Sequence, residues 1–129
     1  MRQTLRAAVA GAVAVATLWG GESAAVASSN DVIAEGSCSQ GSTWKLKGGL
    51  DNGRLEVEFE VDSNVVGQTW GVRLSDNGTV FFRGIRETVA PSGSFEVRRF
   101  TANQAGTDTI VGAARNPDTG EVCRGTITI

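Results

Sequence analysis

The residues best suited by type and spacing to do chemistry are four acidic side chains that alternate with apolar ones, Glu56, Glu58, Glu60 and Asp62. Calcium binds several carboxylate oxygens at once, which makes this run a candidate calcium site. Side chains on one face of a strand stand about 6 to 7 Å apart, which is too far for all four to reach one ion. Without a cleft, the same residues also offer no carboxylate pair for glycoside hydrolysis. We therefore expect a solvated face on which these acids pair with the two nearest lysines.

A second candidate is a cluster of arginines, Arg83, Arg86, Arg98 and Arg99. Clustered positive charge suits an anionic glycan or an acidic partner protein. The sequence Val-Arg-Arg-Phe at residues 97–100 interrupts the alternation of apolar and polar residues, which predicts a bulge or a sheet edge there. Edge strands commonly carry charge that prevents sheets from aggregating, so the cluster has a structural explanation as well as a functional one.

The composition excludes several kinds of active site. The chain contains no histidine and no tyrosine, so it lacks the commonest general base and the commonest zinc ligand. Its glycines fall in turns rather than in a phosphate-binding loop between a strand and a helix. A formal net charge of -2 argues against binding to nucleic acid. We therefore predict no catalytic residue, no cofactor, no metal site and no nucleic-acid partner.

The N-terminal 27 residues have the pattern of a secretory signal peptide. Arg2 and Arg6 precede an apolar run over residues 7–19, and Ala25-Val26-Ala27 supplies the small residues of a cleavage site. A membrane-spanning helix needs roughly 20 apolar residues, so the short run disfavours a retained anchor. We expect cleavage before Ser28, secretion to the extracellular space and no membrane span in the mature protein.

The two cysteines, Cys38 and Cys123, lie far apart in the sequence. A redox-active dithiol usually has its thiols close together, as in Cys-x-x-Cys. In an exported chain an even pair of cysteines is normally bridged. We therefore predict a structural disulfide, which closes a long loop and contributes at most roughly 4 to 5 kcal/mol.

The rest of the chain has the pattern of one all-β domain over residues 37–129, preceded by a flexible leader at 28–36 that is small, polar and without periodicity. Short β-like runs are separated by turns at intervals typical of a sandwich or barrel. Links this short, without a helical period, predict an antiparallel β-sandwich. The seven predicted strands cover residues 43–50, 54–62, 68–75, 79–88, 94–101, 107–115 and 121–129.

The clearest hairpin joins the first two of these strands through Asn52-Gly53, the strongest short hairpin signal. This loop places Lys47 opposite Glu58 and Leu46 opposite Phe59. A loop made of Asp51-Asn52 would shift the pairing by two residues and keep the same faces. We expect Trp44, Leu46, Val57, Phe59 and Val61 in the core and Lys45, Lys47, Glu56, Glu58 and Glu60 on the outer face.

The register of the second hairpin, at residues 76–78, is open. A two-residue loop places Leu74 opposite Phe81, whereas a three-residue loop with its glycine in the left-handed conformation places Leu74 opposite Val80 and turns Phe82 inward.

A third turn, at residues 116–120, has Pro117 where φ is pre-set and Gly120 where φ must be positive. It predicts that the last two strands form an antiparallel hairpin. A disulfide from Cys123 to Cys38 would then hold the N-terminal segment against the last strand.

The strand pattern resembles immunoglobulin-like and fibronectin-like sandwiches, and residues 105–111 (Ala-Gly-Thr-Asp-Thr-Ile-Val) resemble the penultimate strand of bacterial immunoglobulin-like modules. Antibody domains bridge their second and sixth strands and carry a tyrosine near the sixth; this chain has no tyrosine and places its cysteines near the ends of the domain. From Cys38 onward the chain is also similar to small exported proteins of actinobacteria, most of which have no assigned activity. The resemblance implies an immunoglobulin-like fold of about seven strands and a secreted location, and no activity.

These expectations favour a secreted, non-catalytic module that binds, or gives structure to, an extracellular protein or wall polymer. The alternative is a secreted inhibitor or small-ligand carrier that uses a loop, or a cleft between the sheets lined by Trp70, Phe81 or Phe82. An enzyme relying on Asp, Glu and Ser alone is a third hypothesis, disfavoured by the missing histidine and cleft. Exposure of these three aromatic side chains would favour the carrier.

Overall fold

A computed structural model describes residues 31–129, which form one unit of eight strands without a helix. The strands are β1 Val32–Ser37, β2 Thr43–Asp51, β3 Arg54–Asp62, β4 Thr69–Asp76, β5 Thr79–Glu87, β6 Ser94–Ala102, β7 Thr109–Arg115 and β8 Val122–Thr128. Strands β1, β2, β3 and β6 form one sheet in that order, and β5, β4, β7 and β8 form the other; neighbouring strands are antiparallel throughout. The predicted all-β sandwich is thus confirmed. The predicted signal peptide, residues 1–27, lies outside the described residues.

The core lies between the sheets and is built from alternate residues of the strands, because successive side chains of a strand point to opposite faces. Four of the five predicted core residues of the first hairpin, Leu46, Val57, Phe59 and Val61, are fully buried. Trp44, the fifth, is half-buried and packs against the core from its margin. The predicted register is also confirmed, since Lys47 pairs with Glu58 and Leu46 with Phe59 around Asn52-Gly53.

The second hairpin adopts neither of the registers considered for it. Asn77 and Gly78 both have positive φ, as a two-residue loop requires, and Asp76 pairs with Thr79. A bulge then inserts one extra residue into β5, so that Leu74 pairs with Phe82 rather than with Phe81 or Val80. Strict alternation would expose one of two consecutive phenylalanines, whereas the bulge lets both pack partly against the core.

The predicted flexible leader is wrong from residue 32 onward, because Val32–Ser37 forms strand β1 and pairs with β2 from Val32↔Gly48 to Ser37↔Thr43. Its inward positions alternate as expected of a strand, but small residues occupy two of the three, Ala34 and Gly36, which weakens the apolar signal. Gly36 is small for a reason: a Cβ there would lie 2.7 Å from the ring of Trp44.

The disulfide between Cys38 and Cys123 is confirmed, and it links the end of β1 in the first sheet to β8 in the second. A buried carboxylate beside it strengthens this link. Glu121 Oε2 accepts hydrogen bonds from the backbone N–H groups of Gln40 (3.0 Å) and Ser42 (2.8 Å), and Oε1 accepts one from the Ser42 hydroxyl (2.7 Å). The turn after β1 is therefore fastened to the start of β8 by a covalent bond, by these three hydrogen bonds and by two more between Ser39 and Val122, each 2.9 Å long.

The order of the strands differs from that of immunoglobulin domains. In immunoglobulin domains the second and third strands lie in opposite sheets, whereas here β2 and β3 are paired neighbours. The resemblance to immunoglobulin-like domains is therefore one of two-layer architecture and not of strand order.

Two glycines of the second sheet allow the layers to approach closely. Gly112 and Gly125 pair with each other across β7 and β8. Phe59 of the first sheet lies against Gly112, where a Cβ would be 2.8 Å from its ring, and Trp44 lies against Gly125. The aromatic rings of one sheet thus fill the space that side chains would need in the other.

We predict that Gly112→Ala lowers the free energy of unfolding by about 1 to 3 kcal/mol, because Phe59 is fully buried and has no free space to move into. Gly71→Ala is the matched control, since a Cβ at Gly71 would meet only the Arg115 carbonyl oxygen at 3.9 Å. Urea denaturation of the two variants measures the difference. Equal stability of both variants would contradict this account of the packing.

We also predict that Glu121→Gln destabilises the protein by about 1 to 3 kcal/mol, because an amide nitrogen cannot accept the hydrogen bonds that one carboxylate oxygen now accepts. Glu87→Gln, at an exposed position, serves as the control. Both variants are compared with the disulfide intact. An unchanged denaturation midpoint for Glu121→Gln would show that the hydrogen bonds of this carboxylate do not stabilise the turn.

Candidate functional site

The outer face of the second sheet brings four arginines together. Because Val72 and Leu74 of β4 point into the core, Gly71 and Arg73 point outward, and the same parity applies on the neighbouring strands. Two rows of paired residues cross the sheet from β5 to β8. One row is Arg83, Arg73, Ala113 and Arg124, and the next is Ile85, Gly71, Arg115 and Val122.

These eight residues form a shallow depression of about 620 Å³, which we call the arginine trough. Its floor is low because Gly71 and Ala113 carry little or no side chain. Two apolar side chains flank the floor, Ile85 at 65% exposure and Val122 at 43%. The trough therefore combines a small apolar floor with a positively charged rim.

The arginines of the trough have no acidic partner. Among residues 31–129, none of Arg73, Arg83, Arg115 and Arg124 takes part in a salt bridge or a side-chain hydrogen bond. Arg73 and Arg83 are moreover directly opposite each other on paired strands, an arrangement of like charges that destabilises a sheet. This repulsion is relieved when an anion lies between or above the two guanidinium groups.

The outer face of the first sheet is different, because its charges neutralise one another. Lys47 lies 3.9 Å from Asp31 and 3.8 Å from Glu58, and Arg98 pairs with Glu56 and lies 3.8 Å from Glu58. Burial raises the pKa of Glu58, an effect that Lys47 opposes. The predicted charge pairing is thus confirmed for Lys47, whereas Lys45 forms no salt bridge within residues 31–129 and Arg98 supplies the second cation.

The alternative of a calcium site on the predicted acidic run gains no support from the geometry. Within residues 31–129 no group of three or more His, Cys, Asp or Glu side chains is arranged to hold a metal ion.

The arginine cluster predicted from the sequence is not one surface. Arg83 lies in the trough, whereas Arg98 is on the outer face of the other sheet. Arg86 and Arg99 stack on the ring of Phe82, at 5.1 and 4.4 Å from its centroid. Strand β6, which carries Arg98 and Arg99, is an edge strand as predicted, but its pairing with β3 is continuous and the predicted bulge is absent there.

The other three arginines of the trough, at positions 73, 115 and 124, were not predicted from the sequence. In the sequence, each of these arginines occupies an outward-facing position in the alternation of its own strand. The three positions lie together only when the strand order β5-β4-β7-β8 is known. Side-chain alternation does not specify the order of non-consecutive strands.

The aromatic cleft considered for a ligand carrier is closed. Trp70 is fully buried and packs against Phe95, with ring centroids 6.3 Å apart. Phe81 and Phe82 are half-buried against the core, and the two stacked arginines cover Phe82. The three aromatic side chains therefore do not form an exposed surface.

A pair of buried carboxylates lies at the β4–β7 end of the sandwich. Asp76 is 4% exposed and Asp108 is 1% exposed. Both carboxylate oxygens of Asp76 and Oδ2 of Asp108 lack a hydrogen-bond partner, while Asp108 Oδ1 accepts one from the Gln104 N–H at 3.1 Å. Burial, together with the proximity of Asp108, raises the pKa of Asp76 to about 6. Their oxygens are shielded from solvent, so the pair lacks the access to substrate that acid-base catalysis needs.

We predict that this pair makes the protein less stable as the pH rises from about 4 to about 6. The ordinary pKa of Asp76 is 3.8 and the folded-state pKa is about 6, so the folded state binds the proton more tightly and loses that advantage on deprotonation. The loss is at most about 3 kcal/mol, and less where solvent screens the charges.

Asp76→Asn should remove this loss of stability, and urea denaturation at several pH values measures the slope of unfolding free energy against pH. Asp118→Asn, at an exposed site, should keep it; a wild-type slope in Asp76→Asn would contradict the assignment.

Comparison with models of known protein families found no match for this chain, and comparison with curated proteins found no similar sequence.

Proposed function

We propose that the chain is an exported, non-catalytic binding module whose binding surface is the arginine trough. The observation that carries the proposal is the pairing of Arg73 with Arg83 on adjacent strands, where neither forms a salt bridge with any of residues 31–129. An outer face with only a structural role gains stability from opposite charges, as the first sheet does. A face that keeps like charges together loses some stability, a loss typical of functional surfaces.

The chemistry of the trough favours an anionic partner. Guanidinium groups bind carboxylates and phosphates through two parallel hydrogen bonds, which gives direction as well as attraction. The low floor at Gly71 lets a ligand approach the sheet closely, and Ile85 and Val122 offer apolar contacts at its sides. An acidic extracellular protein or an anionic wall polymer has the required charge.

Secretion is part of the proposal and rests on the leader pattern of residues 1–27. The disulfide is compatible with an oxidising compartment. The described part of the chain contains no apolar helix of membrane-spanning length. We place the module with the small exported proteins of actinobacteria that its sequence resembles.

A secreted inhibitor is the second candidate, and it rests on one observation. Val65, Val66 and Val89 are each more than half exposed on two loops, and Thr88 Oγ1 donates a hydrogen bond to the Val65 carbonyl, which joins these loops. An apolar tip of this kind suits a protein target better than a small anionic ligand. The inhibitor hypothesis therefore predicts that changes in the trough leave binding unaffected.

We predict that Arg73→Gln/Arg124→Gln weakens binding to soluble polyanions at least tenfold, because two charge-assisted hydrogen-bonding groups are lost. Calorimetric titration of the oxidised, exported protein with polygalacturonate, polyglutamate and polyphosphate measures this. Lys45→Gln/Arg54→Gln removes the same charge from the opposite face and should bind like the wild type.

The trough variant should also unfold no more easily than the wild type, since the repulsion between Arg73 and Arg83 is relieved. If no polyanion binds, or if both double variants weaken binding equally, the trough is not the binding surface.

A further inference from the structure

The trough is open at both ends, and this feature bears on the kind of anion that it binds. Strands β5 and β8 are the two edge strands of the second sheet. The row Arg83, Arg73, Ala113 and Arg124 therefore runs from one edge to the other, and no strand within residues 31–129 closes either end. A small anion fits this shape poorly because its sides stay in water, whereas a chain can lie across the sheet and continue beyond both edges.

The charges of the row are separated by whole strands, first by one strand and then by two. Adjacent strands lie about 4.8 Å apart, so the three guanidinium groups originate from positions at about 0, 5 and 14 Å along a line across the strands. Ala113, on β7, is the one uncharged residue of the row, and its small side chain leaves the floor of the trough flat there. Arg115 stands one row aside, about 7 Å along β7, where it can contact the flank of a chain lying on the row.

The proposal rests on the proposed function and deepens it. We infer that the ligand of the trough is a linear polymer of uronic acids that lies across the four strands, with its carboxylates on Arg83, Arg73 and Arg124. Such a polymer carries one carboxylate per sugar ring, attached directly to the ring, so its charges are held along a stiff backbone. A guanidinium group binds each carboxylate through two hydrogen bonds. The flat floor at Ala113 and the apolar side chain of Val122 contact the sugar rings.

An acidic peptide fits less well. Side chains on one face of an extended peptide repeat at about 6 to 7 Å, which does not match the distance between the positions of Arg83 and Arg73. Its carboxylates also sit on flexible stems, so binding in one register costs side-chain entropy. A polyphosphate carries its charges closer together than the strands and matches only some of the arginines. These two polymers are therefore the discriminating controls.

The first test uses ligand length. Oligogalacturonates of one to eight rings are titrated calorimetrically into the oxidised, exported protein. The affinity should rise with each ring up to about four, which covers the four strands, and then level off. Equal affinity for the single ring and the four-ring oligomer would overturn the inference, as would a polyglutamate or polyphosphate of equal charge that binds as tightly as the oligogalacturonate. Fully methyl-esterified oligomers, which lack the charge, should not bind.

The second test moves one charge without removing it. Arg124→Gln/Thr126→Arg shifts a positive charge by two residues along β8, from the row to the outward-facing position beside it, and keeps the net charge of the protein. We expect about tenfold weaker binding of the four-ring oligomer, the effect of losing one charge-assisted contact. Thermal unfolding checks that the variant is folded. Unchanged affinity would show that net charge and not the row determines binding.

The outcomes separate the two proposals. Failure of every polyanion to bind would remove the proposed function itself. Binding that depends on the trough arginines but is independent of length and insensitive to the relocated charge would leave the proposed function in place and overturn the uronic-acid polymer.

Discussion

The close contact between the two sheets is the constraint on which the rest of this structure depends. Phe59 and Trp44 extend from the first sheet to the glycines at 112 and 125 of the second, and the layers can approach only because those positions lack side chains. Because protein interiors are close-packed, a strand cannot rotate so that its outward side chains enter the core. Every strand must therefore keep its apolar set inward, which in turn determines which charged residues face outward on both sheets.

The two outer faces differ in how their charged side chains are arranged. On the first sheet, acids and bases alternate across neighbouring strands and form salt bridges. On the second, the outward positions of β4, β5, β7 and β8 carry four arginines. Glu87, which pairs with Thr69, is the acidic residue at the outward positions of these four strands. The protein therefore carries a slightly negative charge overall but has a strongly positive side. Such asymmetry steers an anionic partner to one face and increases its rate of association.

Local patterns in the sequence predicted those parts of the fold that depend on neighbours in the chain. The Asn52-Gly53 turn and the alternation beside it determine the pairing of Lys47 with Glu58, and both are visible within twenty residues. Strand β1 was missed because two of its three inward residues, Ala34 and Gly36, are small, and Gly36 leaves room for the ring of Trp44 on the paired strand. The trough was missed for a different reason: its arginines belong to four strands, and the pairing of β4 with β7 joins segments more than thirty residues apart. The sequence also does not indicate whether an aromatic residue such as Trp70 faces the core or a cleft.

The bulge in β5 has a consequence for the far end of its strand. Were Phe81 paired regularly instead of bulged, pairing outward from the Asn77-Gly78 loop would place Arg83 opposite Val72, which faces the core. Every later side chain of the strand would exchange sides, with Phe82 turned to water and Arg83 to the interior. Deletion of Phe81, by contrast, would remove the bulge and leave Arg83 opposite Arg73. The extra residue therefore lets the strand carry two consecutive phenylalanines without reversing the side on which its arginine lies.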